Sequence, residues 1–297
     1  MGRKPRIQFE GACYQVVNRG NDRRDVFETA GSARLFEECL FEACRQSGWR
    51  LHAYTLLRNS FHMAISTPRS NLTAGMHWLQ STFAARVNRE RRTRGHLFQS
   101  RYQAMLVEPG PSLVRVVDHI HLSPVRMGIV TFEQLAGFRW GSYRRFVRND
   151  GQDFLQSDAW LPRLGGGTDS PEGWRHYREH LAKVLALHPT HGEPSDRDLI
   201  RGWALGTPAW KQEVLKNHAP GFPIDGREGG GSDERVWTDA LDRQLALAGR
   251  TRANAAADWK GAAWKVAVAA GVRRTSTATN GWIARQLHMG TANSLSV

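Results

Sequence analysis

Between Ala12 and Val107 the apolar residues switch between a period of two and a period near 3.6, and the order of the switches predicts the fold. Ala12–Asn18 (ACYQVVN) reads as a strand, followed by the polar loop Arg19-Gly20-Asn21-Asp22-Arg23-Arg24. From Ser32 the residues Leu35, Phe36, Cys39, Leu40, Ala43 and Cys44 recur at helical spacing until Gly48 stops the helix. Two strand-like runs, Leu51–Leu57 and Phe61–Ile65, are joined by Arg58-Asn59-Ser60 and predict a hairpin. Leu72, Met76, Leu79, Phe83 and Val87 mark a second amphipathic helix, which runs into the basic stretch 86–94. His96–Val107 alternates as a fourth strand. Strand, helix, strand, strand, helix, strand is the order of an α+β, ferredoxin-like (βαββαβ) sandwich, an antiparallel sheet with helices on one face.

Within the hairpin, period-two alternation puts Ser60 and His62 on one face and Phe61 on the other. Histidines at both polar positions would offer two imidazoles to one metal ion, and here there is one. Pro111–Ile129 predicts a helix with Leu113, Val116, Val117 and Ile120 on one face; His119 and Ser123, four apart, share another. Pro124 is expected to end or kink it. His52 and His121 sit in apolar periodic stretches and read as structural, and Trp140-Gly141-Ser142-Tyr143 reads as an aromatic clasp closing a first domain, 1–148.

Beyond residue 150 the texture changes, with glycine runs at 165–167 and 226–231 and short helical patterns such as 174–187 and 196–204. A variable helical or linker region over 149–235 and a helical C-terminal region over 236–297 are expected. In the latter, Asn280–Gly290 predicts a short helix ending in a glycine turn, and Thr291–Val297 the start of a second. That is the outline of a truncated helix-turn-helix, whose second helix enters the major groove.

Charge sharpens this picture. The 297-residue chain carries a net +13. Residues 1–148 hold 23 Lys+Arg against 11 Asp+Glu, and 149–297 hold 18 against 17. The first half therefore favours a polyanionic partner, and its near-exclusive use of arginine suits bidentate phosphate and base contacts. No apolar run approaches the ~20 residues that cross a bilayer, and the N-terminus has no signal-peptide core, so a cytoplasmic, nucleoid-associated protein is expected. Cys13, Cys39 and Cys44 have no ligand spacing and read as buried thiols.

The ordered motifs Arg3–Ile7, Gly11-Ala12-Cys13-Tyr14, Asn18-Arg19-Gly20-Asn21, the hairpin from Trp49, Gly95–Tyr102, His119–Val130 and Trp140–Tyr143 resemble the IS200-like, REP-associated tyrosine transposases of bacteria, in the HUH single-strand nuclease group. Trp282-Ile283-Ala284 with Leu287–Gly290 is similar to an extension some members carry. The resemblance implies a Mg²⁺ or Mn²⁺ site built from two histidines flanking an apolar residue and an asparagine on a later helix. It also implies a tyrosine nucleophile one turn before that asparagine, and single-stranded DNA bearing a hairpin as substrate. In this sequence those positions hold Ser60 and His62, Ser123, and His119 respectively. Only His62 retains the family residue, and neutral hydroxyls are poor ligands beside imidazole. The expectation is a monomeric or homodimeric binder of hairpin-forming palindromic repeats with weak or absent metal binding and no strand cleavage. A working nickase using His119 and His62, and an RNA-binding regulator, are the alternatives. Arg19, Asn21, Arg23, Arg24, Arg58, Arg101, Arg126 and Arg285 are candidate DNA contacts, with Tyr102 or Phe98 as a base-stacking ring.

Overall fold

A computed structural model describes residues 6–21, 25–99, 101–165, 167–188, 202–219, 232–276, 278 and 280–289. The chain divides into two compact units between residues 220 and 221. In the first, β1 (Ala12–Arg19), α1 (Ala30–Ser47), β2 (Arg50–Leu57), β3 (Ser60–Thr67), α2 (Leu72–Arg91) and β4 (Gln103–Val107) follow in the expected order. The sheet runs β2-β3-β1-β4 with antiparallel neighbours, which is the ferredoxin-like arrangement, and a short β5 (Ala204–Leu205) adds to β4 in parallel.

Local chemistry sets the ends of α1. Thr29 and Ser32 form a reciprocal capping box, and Gly48 takes the left-handed conformation at φ 68° that ends the helix. α1 and α2 cover one face of the sheet, where Phe36 lies 4.8 Å from Phe61 and 5.0 Å from Phe83, ring centre to ring centre. Gly75 of α2 lets the helix approach Trp49: a Cβ there would stand 2.2 Å from the indole and 2.8 Å from the Ser47 hydroxyl. Trp49 is also fixed by donating to Asn71 at 2.9 Å. Gly75→Ala is therefore expected to destabilise the unit by about 1–3 kcal/mol through overpacking, read as a lower denaturation midpoint with unchanged slope.

Helices cover both faces of this sheet, where the sequence pattern suggested one. α3 (Pro111–Arg126) packs against β2 and β3 on the side away from α1 and α2. Pro124 sits inside α3, which continues two residues past it. The fourth strand is shorter than its alternation predicts because 97–99 bonds instead to the end of β1, through Asn21 N–H to Leu97 O and Gln99 N–H to Arg19 O.

Residue 148 is not the end of this fold. The segment after α4 (Ser142–Val147) lines the edge of β2, with Leu51 N–H donating to Phe154 O at 2.7 Å and Gln156 N–H to Leu51 O at 2.9 Å. α5 (Pro171–Leu187), capped by Ser170, packs on α3 and α4. Its Trp174 and Tyr177 join Phe146 and Trp160 in a buried aromatic cluster. β5 and α6 (Pro208–His218) complete the unit, and Arg145 of α4 bonds the buried Glu37 at 2.7 Å and the Tyr54 hydroxyl at 2.8 Å. The expected boundary rested on the Trp140–Tyr143 clasp and the change of texture after residue 150, whereas backbone pairing to β2 carries the first unit further. Cys13, Cys39 and Cys44 are buried thiols, and burial pushes Cys13 and Cys44 up to about 12. Among the described residues no helix is long and apolar enough to cross a membrane.

The second unit holds α7 (Ser232–Leu247), α8 (Arg252–Ala257), α9 (Ala263–Thr275) and α10 (Asn280–Gln286) around its own apolar core. Trp237 and Trp282 meet edge to face at 5.5 Å. Lys265 is fully buried, its ammonium donating to the Ala255 and Asp258 carbonyls, each at 2.8 Å. A cation there closes the C-terminal end of α8, where orphan carbonyls and the helix dipole favour positive charge. Residues 291–297, the expected second helix of the helix-turn-helix, lie outside the described residues.

Candidate nucleic-acid interface

Sheet register determines which side chains face α3. His62 is paired with Val17 of β1 and Thr55 of β2, and Ser60 with Arg19 and Leu57. Phe61 points to the opposite face, into the α1–α2 core, as strand alternation requires. α3 leaves the far end of β4 and runs back across this surface. Its His119 ring lies 6.1 Å from that of His62, centre to centre, at 49°. Ser60, His62, His119 and Ser123 are all buried, His119 at 1% exposure and Ser123 at 0%.

Two hydrogen bonds fix the chemistry of α3. The Ser123 hydroxyl donates to the His119 carbonyl at 2.6 Å, turning back along its own helix. Arg126, two turns after His119, brings Nη1 to 3.4 Å from His119 Nδ1. A guanidinium has no acceptor, so in this contact Nδ1 accepts from Arg126. The i, i+7 spacing that makes this contact was readable in the sequence, but Arg126 was assigned only to DNA.

A divalent ion does not fit this donor set. It comprises one imidazole and two neutral hydroxyls, one of them committed to a carbonyl, and Mg²⁺ or Mn²⁺ favours carboxylate and other hard oxygen donors. The nearest carboxylate in sequence, Asp118, turns to α5, accepting from Tyr177 Oη at 3.0 Å and meeting His180 Nε2 at 2.7 Å. Among the described residues there is no group of three or more His, Cys, Asp or Glu placed to hold a metal ion.

His121 extends the same buried chain and missed any functional reading for good reason. Its Nδ1 meets Tyr177 Oη and its Nε2 meets Ser142 Oγ, both at 2.8 Å, and burial lowers its pKa to about 3. His52 is similar: burial lowers it to about 4, and Nε2 sits 2.7 Å from the Ser66 hydroxyl. Both are structural, neutral histidines. The Trp140–Tyr143 clasp packs as expected, and its Ser142 hydroxyl also accepts from Tyr54 N–H at 2.9 Å.

The candidate arginines gather at one end of the sheet. Gly20 N–H donates to Asn59 O at 2.7 Å and Asn21 N–H to Leu97 O at 2.8 Å, so the end of β1, the β2–β3 turn and the segment before β4 are tied together. This places Arg19, Asn21, Arg58 and Arg101 near one another, at the end toward which α3 carries Arg126. Arg19 and Arg101 are exposed, and Arg58 is 77% exposed even while its Nε meets Asp25 at 2.6 Å. In the basic stretch at the end of α2, Arg89, Arg91, Arg92 and Arg94 are exposed, whereas Arg86 pairs with Glu42 through two 2.8 Å bonds. Arg285 is exposed on α10 of the second unit. Arg23 and Arg24 lie outside the described residues.

Of the aromatic candidates, Tyr102 is buried and Phe98 packs in the core, the reading its apolar setting favoured. Tyr102 is 5% exposed, with the Arg6 guanidinium 3.9 Å above its ring and bonded to its carbonyl. Phe98 packs on Phe61 and Phe83 at 5.6 and 6.0 Å. Phe83 of α2 and Arg6 of the N-terminal segment cover these two rings.

Residues 8–122 match the family model described as Transposase IS200 like. The matched stretch spans β1 to α3 and is similar to that family over well under half of the chain. A solved structure described as a REP-associated tyrosine transposase bound to a REP hairpin is similar, with a TM-score of 0.44 and 15% identity over 54% of this chain and 96% of that one. No curated protein matches the chain. The IS200-like transposase match takes in Ser60, His62 and His119 and stops just short of Ser123. α4 and α5, which brace α3 through Ser142 and Tyr177, follow it.

Proposed function

We propose that this chain binds single-stranded DNA hairpins of palindromic repeats through its IS200-like transposase domain, at the nucleoid, and does not cleave them. The observation that carries the loss of cleavage is the arrangement on α3. His119, where the family places its nucleophile, carries an imidazole in place of a phenol, and its Nδ1 is engaged by Arg126. Ser123, where the family places a metal ligand, is bonded to the His119 carbonyl. With a single imidazole at Ser60–His62, there is no built metal centre to polarise a phosphate. DNA binding is supported by the family match and by the arginines at the β2–β3 turn end of the sheet.

The test is incubation of the full chain with end-labelled hairpins, drawn from repeats flanking its own gene, with Mn²⁺. Intact DNA on a denaturing gel, with the same hairpins retarded on a native gel, is the expected result. A covalent protein–DNA adduct that disappears in His119→Ala would instead establish a histidine-using nickase, and tighter binding of RNA hairpins an RNA-directed role.

A further inference from the structure

We propose that the groove beside the start of β2 is a nucleotide site, with guanidinium groups for the phosphate and a ring and oxygen acceptors for the base. Arg50 begins β2 and Arg58 follows its end, about 25 Å along the strand, so the groove stands apart from the arginines of the turn. Its volume is about 340 Å³, within the roughly 300–1,000 Å³ of small-molecule sites. Arg45 at the end of α1, Trp49 and Arg50 line one part of it, and Asp153, Phe154 and Gln156 another. Backbone bonds fasten the two parts, Leu51 N–H to Phe154 O at 2.7 Å and Gln156 N–H to Leu51 O at 2.9 Å. Trp49, 1% exposed, gives a fixed apolar wall.

The cations of the groove are not used up by the fold. α1 ends here, and its last carbonyls favour a cation, but they already have partners. Cys44 O accepts from the Gly48 and Trp49 N–H groups, Gln46 O from Arg69 at 3.3 Å and Ser47 O from the Asn71 amide at 2.9 Å. Glu42, one turn before Arg45, is held by Arg86. Arg50 is exposed and makes no hydrogen bond or ion pair among the described residues. Arg45 is exposed too, and its hydrogen bond to Gln152 is a long 3.5 Å. Arg69 adds a third guanidinium, 3.2 Å from where a Cβ of the groove-lining Gly48 would stand.

The acceptors are likewise open. Asp153 is exposed and pairs with none of these arginines. Gln156 donates Nε2 to the Asp153 carbonyl at 3.3 Å, and its Oε1 is buried with no donor among the described residues. Buried acceptors ordinarily have a partner, and an N–H on the edge of a nucleobase would supply one. Phe154 is half-buried, with Phe41 at 5.2 Å and the Arg45 guanidinium at 5.7 Å from its ring centre. Rings and guanidinium planes stack on bases, and guanidinium forks match phosphate oxygens. An inorganic anion would leave the ring and the acceptors idle, and an uncharged ring would leave the arginines idle, so the groove fits a molecule with both.

The experiment is equilibrium dialysis of the full chain against radiolabelled GMP, with guanosine, ribose 5-phosphate and inorganic phosphate as competitors. GMP is expected to bind about 10-fold or more tighter than each competitor, since charge-assisted bonds and stacking act together only in the nucleotide. Arg45→Gln with Arg50→Gln is expected to weaken GMP binding about 10–100-fold at an unchanged melting temperature, both side chains being exposed. Phe154→Leu, which keeps the backbone pairing, should weaken GMP about 5–100-fold and leave ribose 5-phosphate unchanged. Competition by a DNA hairpin ending in one unpaired nucleotide separates two sources of the ligand: displacement of GMP puts a strand end in the groove, and no displacement puts a free nucleotide there. The proposal is overturned if GMP is not retained, if guanosine or inorganic phosphate competes as well as GMP itself, or if the double arginine variant binds GMP with unaltered affinity.

Discussion

Ser60→His, His119→Tyr and Ser123→Asn, introduced together, are expected to produce Mn²⁺-dependent nicking of a hairpin-bearing single strand, with a covalent protein–DNA adduct, where the natural chain leaves the strand intact. Ser60 and His62 are two positions apart on one face of β3, so a second imidazole would stand about 7 Å along the strand from the first. Position 119 already places a ring 6.1 Å from His62. At 123 an amide would supply an oxygen donor in place of a hydroxyl now bonded to the His119 carbonyl. Lewis-acid activation is worth several kcal/mol, which is about a thousandfold or more in rate. His119→Tyr alone should remain inactive, because one imidazole is left to hold the metal. A triple variant that melts like the natural chain, binds hairpins and still cuts nothing would show that cleavage was lost elsewhere.

The second large effect lies beneath the site. Asp118 is 4% exposed and accepts from Tyr177 of α5 while pairing with His180 of the same helix, so it fastens α5 to the helix that carries His119. Asp118→Ala leaves both partners facing an apolar gap and is expected to cost about 3–5 kcal/mol, measured by urea denaturation. The same pair makes stability depend on pH. The hydrogen bond to Asp118 raises the pKa of His180 above its ordinary value of 6.5. Its stabilisation is therefore complete below about pH 6.5 and is lost as pH rises through the raised folded value. His52 and His121 act oppositely: with folded values near 4 and 3, they oppose folding as pH falls below 6.5 because only the unfolded chain takes up their protons. Melting temperature should fall on the alkaline side in the natural chain. In Asp118→Asn, which can still accept from Tyr177, that alkaline decline should be flattened and the acid decline kept.

Much of the fold was legible because its signals are local. Gly48 ends α1 where its left-handed backbone is needed, and the apolar spacing of Leu72 to Val87 is the buried stripe of α2. The turn at Arg58–Asn59 joins two strands whose alternation correctly separates His62 from Phe61. Motif order gave the resemblance that the match over residues 8–122 bears out.

What the sequence determined by itself was the order of elements and the concentration of arginine in the first half, since each is written in periodicity or composition. Only the tertiary structure decided that α3 lies on the face away from α1 and α2, that Ser123 bonds its own helix and that Arg126 reaches His119. Tertiary packing also buried Tyr102 and joined residues beyond 148 to the sheet. These depend on pairings between residues far apart along the chain, such as Leu51 with Phe154 and Asp118 with His180. Such contacts form because burial leaves polar groups no partner but each other, and a one-dimensional pattern does not record which partner each will find.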